Sequence, residues 1–298
     1  MDLLRTVKRE PISAPAASGL RPQQILTWGR QLLLHGVIWL GAVAMVLPFL
    51  WMLSTSLKSQ GEAMVYPPQW IPNPIHWSNY VDVVQSFPFA TYAFNSLKIA
   101  LIGTVGQLIS TSLAAYAFAR MNFPGRNLLF IILLSTLMVP GHVTMIPTFI
   151  LFNALGWVNT HYPLMVPAWF GGAFGTFLIR QFFHTVPKEY SDAAAIDGAG
   201  HGAIFARIYV PLAKPVLATL ALFTFMNHWN EFLLPVIYLT DPDKLTLTVG
   251  LSTFRQQYST LYHYLMAGTL LSIIPIFVLF VLLQKYFVRG IVMSGLKG

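Results

Sequence analysis

Few residues of this chain have the type and spacing that chemistry needs. Its eight histidines are His35, His76, His142, His161, His184, His201, His228 and His263. No two of them stand at the i, i+4 spacing with which a helix presents a histidine pair to zinc. Cysteine is absent, which removes thiolate metal sites, disulfides and cysteine nucleophiles. There is no GxSxG elbow and no GxxxxGK[ST] phosphate loop. These patterns argue against an enzyme and against ATP binding by this chain; no cofactor, metal or catalytic residue is expected.

Two polar clusters remain. One is Asn227-His-Trp-Asn-Glu-Phe232, near the end of a long apolar run. An acid at membrane depth is costly, so Glu231 is a functional hypothesis. Asn227, Trp229, Asn230 and Glu231 read either as an interfacial cap anchored by the tryptophan or as the lining of a translocation path. The other is Ser191-Asp-Ala-Ala-Ala-Ile-Asp-Gly-Ala-Gly200, small-sided and polar between two hydrophobic runs. No membrane-centred chain of acids, lysines or histidines, of the sort a proton-coupled carrier often uses, accompanies either cluster. A sodium-coupled carrier can manage with backbone carbonyls, so a secondary transporter stays open as a distant alternative.

The elements that hold these clusters follow from composition. The chain has 298 residues, 55% hydrophobic and only 9% charged, against about 25% charged in a soluble domain. Apolar runs near 20 residues match the helix length that crosses a bilayer core of about 30 Å. Six such runs are read: Leu32–Leu53, Leu97–Ala119, Leu128–Phe149, Tyr162–Phe183, Pro211–Leu234 and Leu265–Phe287. The expectation is an all-α integral membrane protein of six transmembrane helices. Its parts are a flexible tail (1–30), a first span (31–54), an external loop (55–90), a five-helix core (91–287) and a C-terminal tail (288–298). Pro140 and Pro147 should break or kink the third span, and Gly171 and Gly175 give the fourth a small-xxx-small face.

Basic residues orient the spans. Only Lys58, Lys244 and Arg255 fall in loops of one side, with Lys98 at a helix end beside them; the other Lys and Arg fall opposite. This places both termini in the cytoplasm. The net charge of +8 then reflects membrane topology, not nucleic-acid binding. Trp70 and Trp77 in the external loop read as interfacial anchors. The N-terminal stretch lacks the apolar core of a signal peptide.

The second polar cluster falls on the cytoplasmic side, in a segment spanning 185–211. Pro187 suits a helix start, Lys188 to Asp197 suits a helix, and Gly198 suits the left-handed residue that ends one. A second short helix is expected from about Gly202 to Tyr209. A helix this short needs support from its own bundle or from a partner.

The spacing of this insert resembles the EAA motif of ABC importer permeases. Asp192-Ala193-Ala194 is followed after three residues by Gly198, then after nine by Ile208, with Val210-Pro211 behind it. Asp192 replaces the motif's glutamate and Val210 its leucine. Tyr116-Ala-Phe-Ala-Arg-Met-Asn-Phe-Pro-Gly125, Met138-Val-Pro140, Leu155-Gly-Trp-Val-Asn-Thr160, Trp229-Asn-Glu-Phe232 and Lys244-Leu-Thr-Leu-Thr-Val-Gly-Leu251 resemble the carbohydrate, maltose-type branch of six spans. The resemblance implies the type I ABC importer permease fold in a bacterial or archaeal cytoplasmic membrane. It implies four kinds of partner: a second homologous permease, two cytoplasmic ATPase subunits that bind ATP and Mg²⁺, an extracytoplasmic solute-binding protein and membrane lipid. Its cargo would be a sugar or oligosaccharide, with glycerol-3-phosphate or a related polyol phosphate as the alternative. Asp192, Ala193, Ala194, Ala195, Asp197, Gly198, Ile208 and Pro211 would couple the permease to the ATPase. Asp192 would pair with a base there, the alanines would allow close approach, and Ile208 with Pro211 would pass the motion into the fifth span.

Overall fold

A computed structural model describes the backbone of residues 22–255 and 260–295, and the side chains of residues 29–255 and 260–286. Residues 1–21, in which most of the expected flexible tail falls, lie outside it. The described residues are helical apart from loops and one isolated bridge between Arg255 and Thr260. Two compact units divide within the first helix, the first ending at Trp51 and the second beginning at Met52.

The first helix, α1, runs from Pro22 to Ser56. It starts inside the segment expected as tail, because nothing between Pro22 and Arg30 breaks a helix. From Gly29 it is apolar on every side, with Leu33, Trp39, Leu40 and Met45 among its exposed residues. An all-round apolar helix suits lipid and not water.

In the second unit, α2 (Ser78–Ser86) precedes α3 (Phe89–Arg120). At 1.5 Å per residue, α3 is about 48 Å long and outreaches the hydrocarbon at both ends. The expected third span is two helices. Arg126–Ser135 (α4) extends by a 3₁₀ turn to Met138, and Gly141–Ala154 (α5) follows at 100°. Proline ring atoms push the preceding residue out of helical conformation; Val139 accordingly sits at ψ 113° and Pro140 at ψ 134°. Pro147, by contrast, stays inside α5.

The fourth span is interrupted too. Tyr162–Met165 (α6) passes into a 3₁₀ stretch, Val166–Phe170, and Gly171 (φ 91°) precedes α7, Ala173–Thr185. Two short helices follow, α8 (Glu189–Ile196) and α9 (His201–Ile204), then a π turn (Phe205–Tyr209) and α10 (Val210–Leu212). After a 78° bend comes α11, Lys214–Asn230, so the fifth membrane helix begins later than Pro211. The chain continues through α12 (Leu233–Tyr238), α13 (Leu247–Ser252) and α14 (Tyr262–Gly295). The last helix runs through most of the expected C-terminal tail. Four described helices are long and apolar enough to cross a membrane, and six spans result when each bent pair counts as one.

Between spans in lipid, apolar burial drives little; close packing and hydrogen bonds decide. Small residues supply the closeness. A Cβ at Gly175 would lie 2.9 Å from Leu220 and 3.1 Å from Thr111, so α7 sits tightly against α3 and α11 there. One buried cluster near the Arg120 end joins Tyr116, Ile179, Phe183 and Tyr209. Another joins Val83, Tyr92, Phe225, Trp229 and Leu251.

Candidate functional site

The insert between α7 and α11 is built as its residues dictate. Pro187 lies one residue ahead of the Lys188 cap, just outside the first turn of α8. The helix closes on a Schellman pair: Ala199 N–H donates to Ala194 O (2.9 Å) and Gly198 N–H to Ala195 O (3.0 Å). That motif needs a left-handed residue, and Gly198 supplies it at φ 82°. Asp192, Ala193, Ala195, Ile196 and Asp197 are exposed, Ile196 at 87%. Ala194 instead packs partly into the cluster beneath. The helix thus offers a small-sided face to a partner and is held by its own bundle on the other.

What holds it is only partly what the motif implied. Ile208 is half-buried, but Pro211 is exposed. The buried anchor is Tyr209, at 0% exposure. Its ring meets Tyr116 and Phe183 edge-on at 5.2 and 5.1 Å, and its hydroxyl lies 3.2 Å from Ser191 Oγ on α8. The guanidinium of Arg120 stands 5.1 Å from the same ring. Its Nη2 donates to the carbonyls of Phe183 and Val186, at the open end of α7. A cation at a helix C-terminus satisfies orphan carbonyls and complements the helix dipole. Tyr116, whose hydroxyl is 3.2 Å from His201 Nδ1, links α3 to α9. Arg120 and Tyr116 belong to the stretch Tyr116–Gly125, yet nothing local in it shows that they pair with residues more than 60 positions on.

The second polar cluster divides. Asn227, His228 and Glu231 line a cavity of about 740 Å³ inside the second unit. The walls come from α3, α5, the broken fourth span, α11 and α12. Trp229 does not line it. On a helix the next residue points about 100° away, and the Trp229 ring is buried, stacked on Phe225 at 5.8 Å, with its Nε1–H donating to Ser272 O (3.0 Å). It is neither an interfacial anchor nor a lining residue. Asn230 is exposed and also outside the cavity wall. Glu231 accepts from Leu234 N–H (3.1 Å), capping α12, while its carbonyl accepts from Thr248 Oγ1 (2.8 Å). Gln107, Thr144, Thr148, Thr224, Tyr238 and Thr246 add further polar groups to the lining. Among the lining residues there is one carboxylate and neither lysine nor arginine.

At the opposite end from Arg120, the loop before α6 clamps the turn after α12. Asn159 sits at φ 60°, and its Oδ1 accepts from Thr240 N–H (3.1 Å) and Asp241 N–H (2.9 Å). His161 Nε2 lies 2.8 Å from Lys244 O. From α3, Asn95 donates to Asp243 O and Leu245 O.

Residues 107–293 match the family of binding-protein-dependent transport system inner membrane components. The chain belongs to this family. It is an inner-membrane, multi-pass permease of an ABC transporter, whose type works with an ATPase and a solute-binding protein. Among its relatives is the arabinooligosaccharides transport system permease of Halalkalibacterium halodurans, 35% identical over 246 residues, 82% of this chain and 86% of that one. Another is the sn-glycerol-3-phosphate transport system permease of Yersinia enterocolitica, 32% identical over 274 residues, 89% of this permease and 97% of the relative. The solved structure of a bacterial ABC transporter for the acidic polysaccharide alginate aligns with a TM-score of 0.74, covering 91% of this chain and 100% of that one, at 24% identity. That likeness gives the permease the type I importer fold.

Proposed function

We propose that this permease forms half of a transmembrane path for uptake of a neutral sugar or oligosaccharide. The other half is a second, homologous permease. Two cytoplasmic ATPase subunits bind ATP and Mg²⁺, and one of them seats α8. A solute-binding protein delivers the cargo from outside. Asp192 pairs with a basic group of the ATPase, Ala193 and Ala195 let its surface come close, and Gly198 makes the turn. Ile208, Tyr209 and the chain through Pro211 carry the displacement to α11. Two conformations of unequal affinity for nucleotide-bound ATPases are enough to make this a switch.

Relatives are named for the transport of sugars and of a phosphate ester, and the cavity lining supports the first. Its lining of amides, threonines, an imidazole and apolar rings, with one carboxylate and neither lysine nor arginine, supports a neutral cargo. Taking a phosphate out of water with no cation to meet it costs several kcal/mol or more.

The test uses the permease reconstituted with its partner subunits and binding protein in ATP-loaded vesicles. Radiolabelled neutral oligosaccharides and sn-glycerol 3-phosphate are offered in turn. Uptake of a neutral sugar and not of the phosphate is expected; the reverse overturns the cargo assignment. Because the chain has no cysteine, Ala193→Cys provides a single reactive site on the exposed face of α8. It should crosslink to a cysteine in the ATPase cleft in a nucleotide-dependent manner. No crosslink in an active complex would remove α8 as the docking element.

A further inference from the structure

Two glycines, Gly172 on the cavity wall and Gly103 on α3, are explained by what they leave room for. Gly172 has φ −158° and ψ 135°, extended backbone that any residue adopts, so its own conformation does not require glycine. A Cβ there would overlap the side-chain amide nitrogen of Gln107. Gly103 lies inside α3, where glycine is a poor helix former. A Cβ there would lie 2.6 Å from Nε2 of His228. Both glycines therefore seat a polar side chain that lines the cavity. Gly103 and Gln107 are one turn apart on the same face of α3, which brings the imidazole and the amide to neighbouring levels. Asn227 precedes His228 and also lines the cavity.

These groups have hydrogen-bonding capacity to spare. Among the described residues, the amides of Gln107 and Asn227 and the imidazole of His228 bond to no other protein group. Polar groups at membrane depth ordinarily find protein partners. Three side chains with open donors and acceptors, two seated by glycines, share the cavity lining with Phe174 and Phe223. A pyranose has that division: hydroxyls around its edge and an apolar C–H face that lies against an aromatic ring. Neutral amides both donate to and accept from hydroxyls, and they give a charged ligand no counter-charge.

Resting on the sugar-importer reading, we infer that Gln107, Asn227 and His228 form a hydroxyl-binding subsite, so that this subunit contacts the sugar itself and does not merely flank the path. Each direct bond is worth about five-fold in rate when sugar occupancy limits import.

The experiment uses the complete reconstituted complex, the sugar that wild type imports and its mono-deoxy analogues. Gln107→Met and Asn227→Leu keep volume and remove the amide. Each should lower import about five-fold while ATP hydrolysis stimulated by loaded binding protein stays near wild type. The decisive reading is the cycle between residue and hydroxyl. At least one analogue that costs wild type about five-fold should cost a variant nothing further. If every analogue costs wild type and both variants the same factor, the subsite is wrong, even though sugar import stands. If the variants import at the wild-type rate, the subsite is equally wrong. If wild type imports no neutral sugar, the importer reading fails, and the subsite with it. Asn227 is exposed on the cavity and bonded to nothing, so its variant keeps the test independent of any folding defect at Gln107.

Discussion

Arg120 is where the motion of α8 should be most sensitive to one substitution. Its guanidinium donates to the carbonyls of Phe183 and Val186 and stands 5.1 Å from the Tyr209 ring. Arg120→Met keeps the apolar stem and removes all three contacts. Charge-assisted hydrogen bonds are worth about 1.5–3 kcal/mol each, and a partly exposed cation–π contact adds about 0.5–1 kcal/mol. Water can reach the freed carbonyls at the helix end, so the low end of each range applies, about 3–4 kcal/mol in all. That free energy holds the end of α7 and the base of α8 to α3. Its loss should speed amide exchange in residues 183–192 by about 10²- to 10³-fold. Import per ATP hydrolysed should fall, because the ATPase then moves a loosened helix. Arg120→Lys should restore only part of both, since an ammonium lacks the planar fork that reaches two carbonyls. Hydrogen exchange by mass spectrometry on the purified complex reads the first effect, and paired uptake and phosphate release read the second. Wild-type exchange across 183–192 in Arg120→Met would refute the reasoning.

Three further outcomes are expected. Gly198→Leu places a side chain at φ 82° with nothing within 4 Å of its Cβ. The penalty is therefore conformational, about 1–2 kcal/mol, and uptake should fall while Gly198→Asn stays near wild type; equal uptake by the two variants would contradict the left-handed turn. Asn159→Ala removes two bonds to backbone amides and puts alanine at φ 60°, and should cost about 2–3 kcal/mol, seen as faster proteolysis between Thr240 and Lys244. Burial, and then repulsion from Lys98 and Lys244, holds the His161 imidazole below its ordinary value despite its bond to Lys244 O. The folded clamp thus favours neutral histidine. Its contribution is complete above about pH 6.5 and is lost as pH falls through and below that value, where the unfolded state binds more protons. The detergent-solubilised complex should lose thermal stability from pH 7.5 to 5, less so in His161→Gln; parallel curves would exclude His161 as a source.

The local features of this permease were open to reading in its residues, and the distant ones were not. The α8 turn follows from three alanines, an aspartate and Gly198 inside one decapeptide. The break in the third span follows from Pro140, although the 100° bend does not, because neighbouring helices set that angle; Gly171, expected with Gly175 on one helix face, instead interrupts the fourth span at φ 91°. Arg120 looked like one more inward-side charge until its carbonyl partners were in place. Trp229 misled because a tryptophan beside an acid suits a membrane interface as well as a core, and only the Ser272 carbonyl across on α14 decides it. The cavity escaped for the same reason. Gln107, Thr144 and Asn227 lie on three helices, and none of them departs from an ordinary helix pattern. A glycine at 172, in backbone that did not need one, was the nearest thing to a signal.

The scarcity of charge in the cavity has an energetic consequence. Moving one elementary charge across 100 mV involves about 2.3 kcal/mol, so a charged cargo would feel the membrane voltage at every step. A neutral sugar passing amides and hydroxyls feels almost none of it. Uptake through this permease should then run at the same rate in polarised and depolarised vesicles, with the full work of accumulation falling on nucleotide hydrolysis.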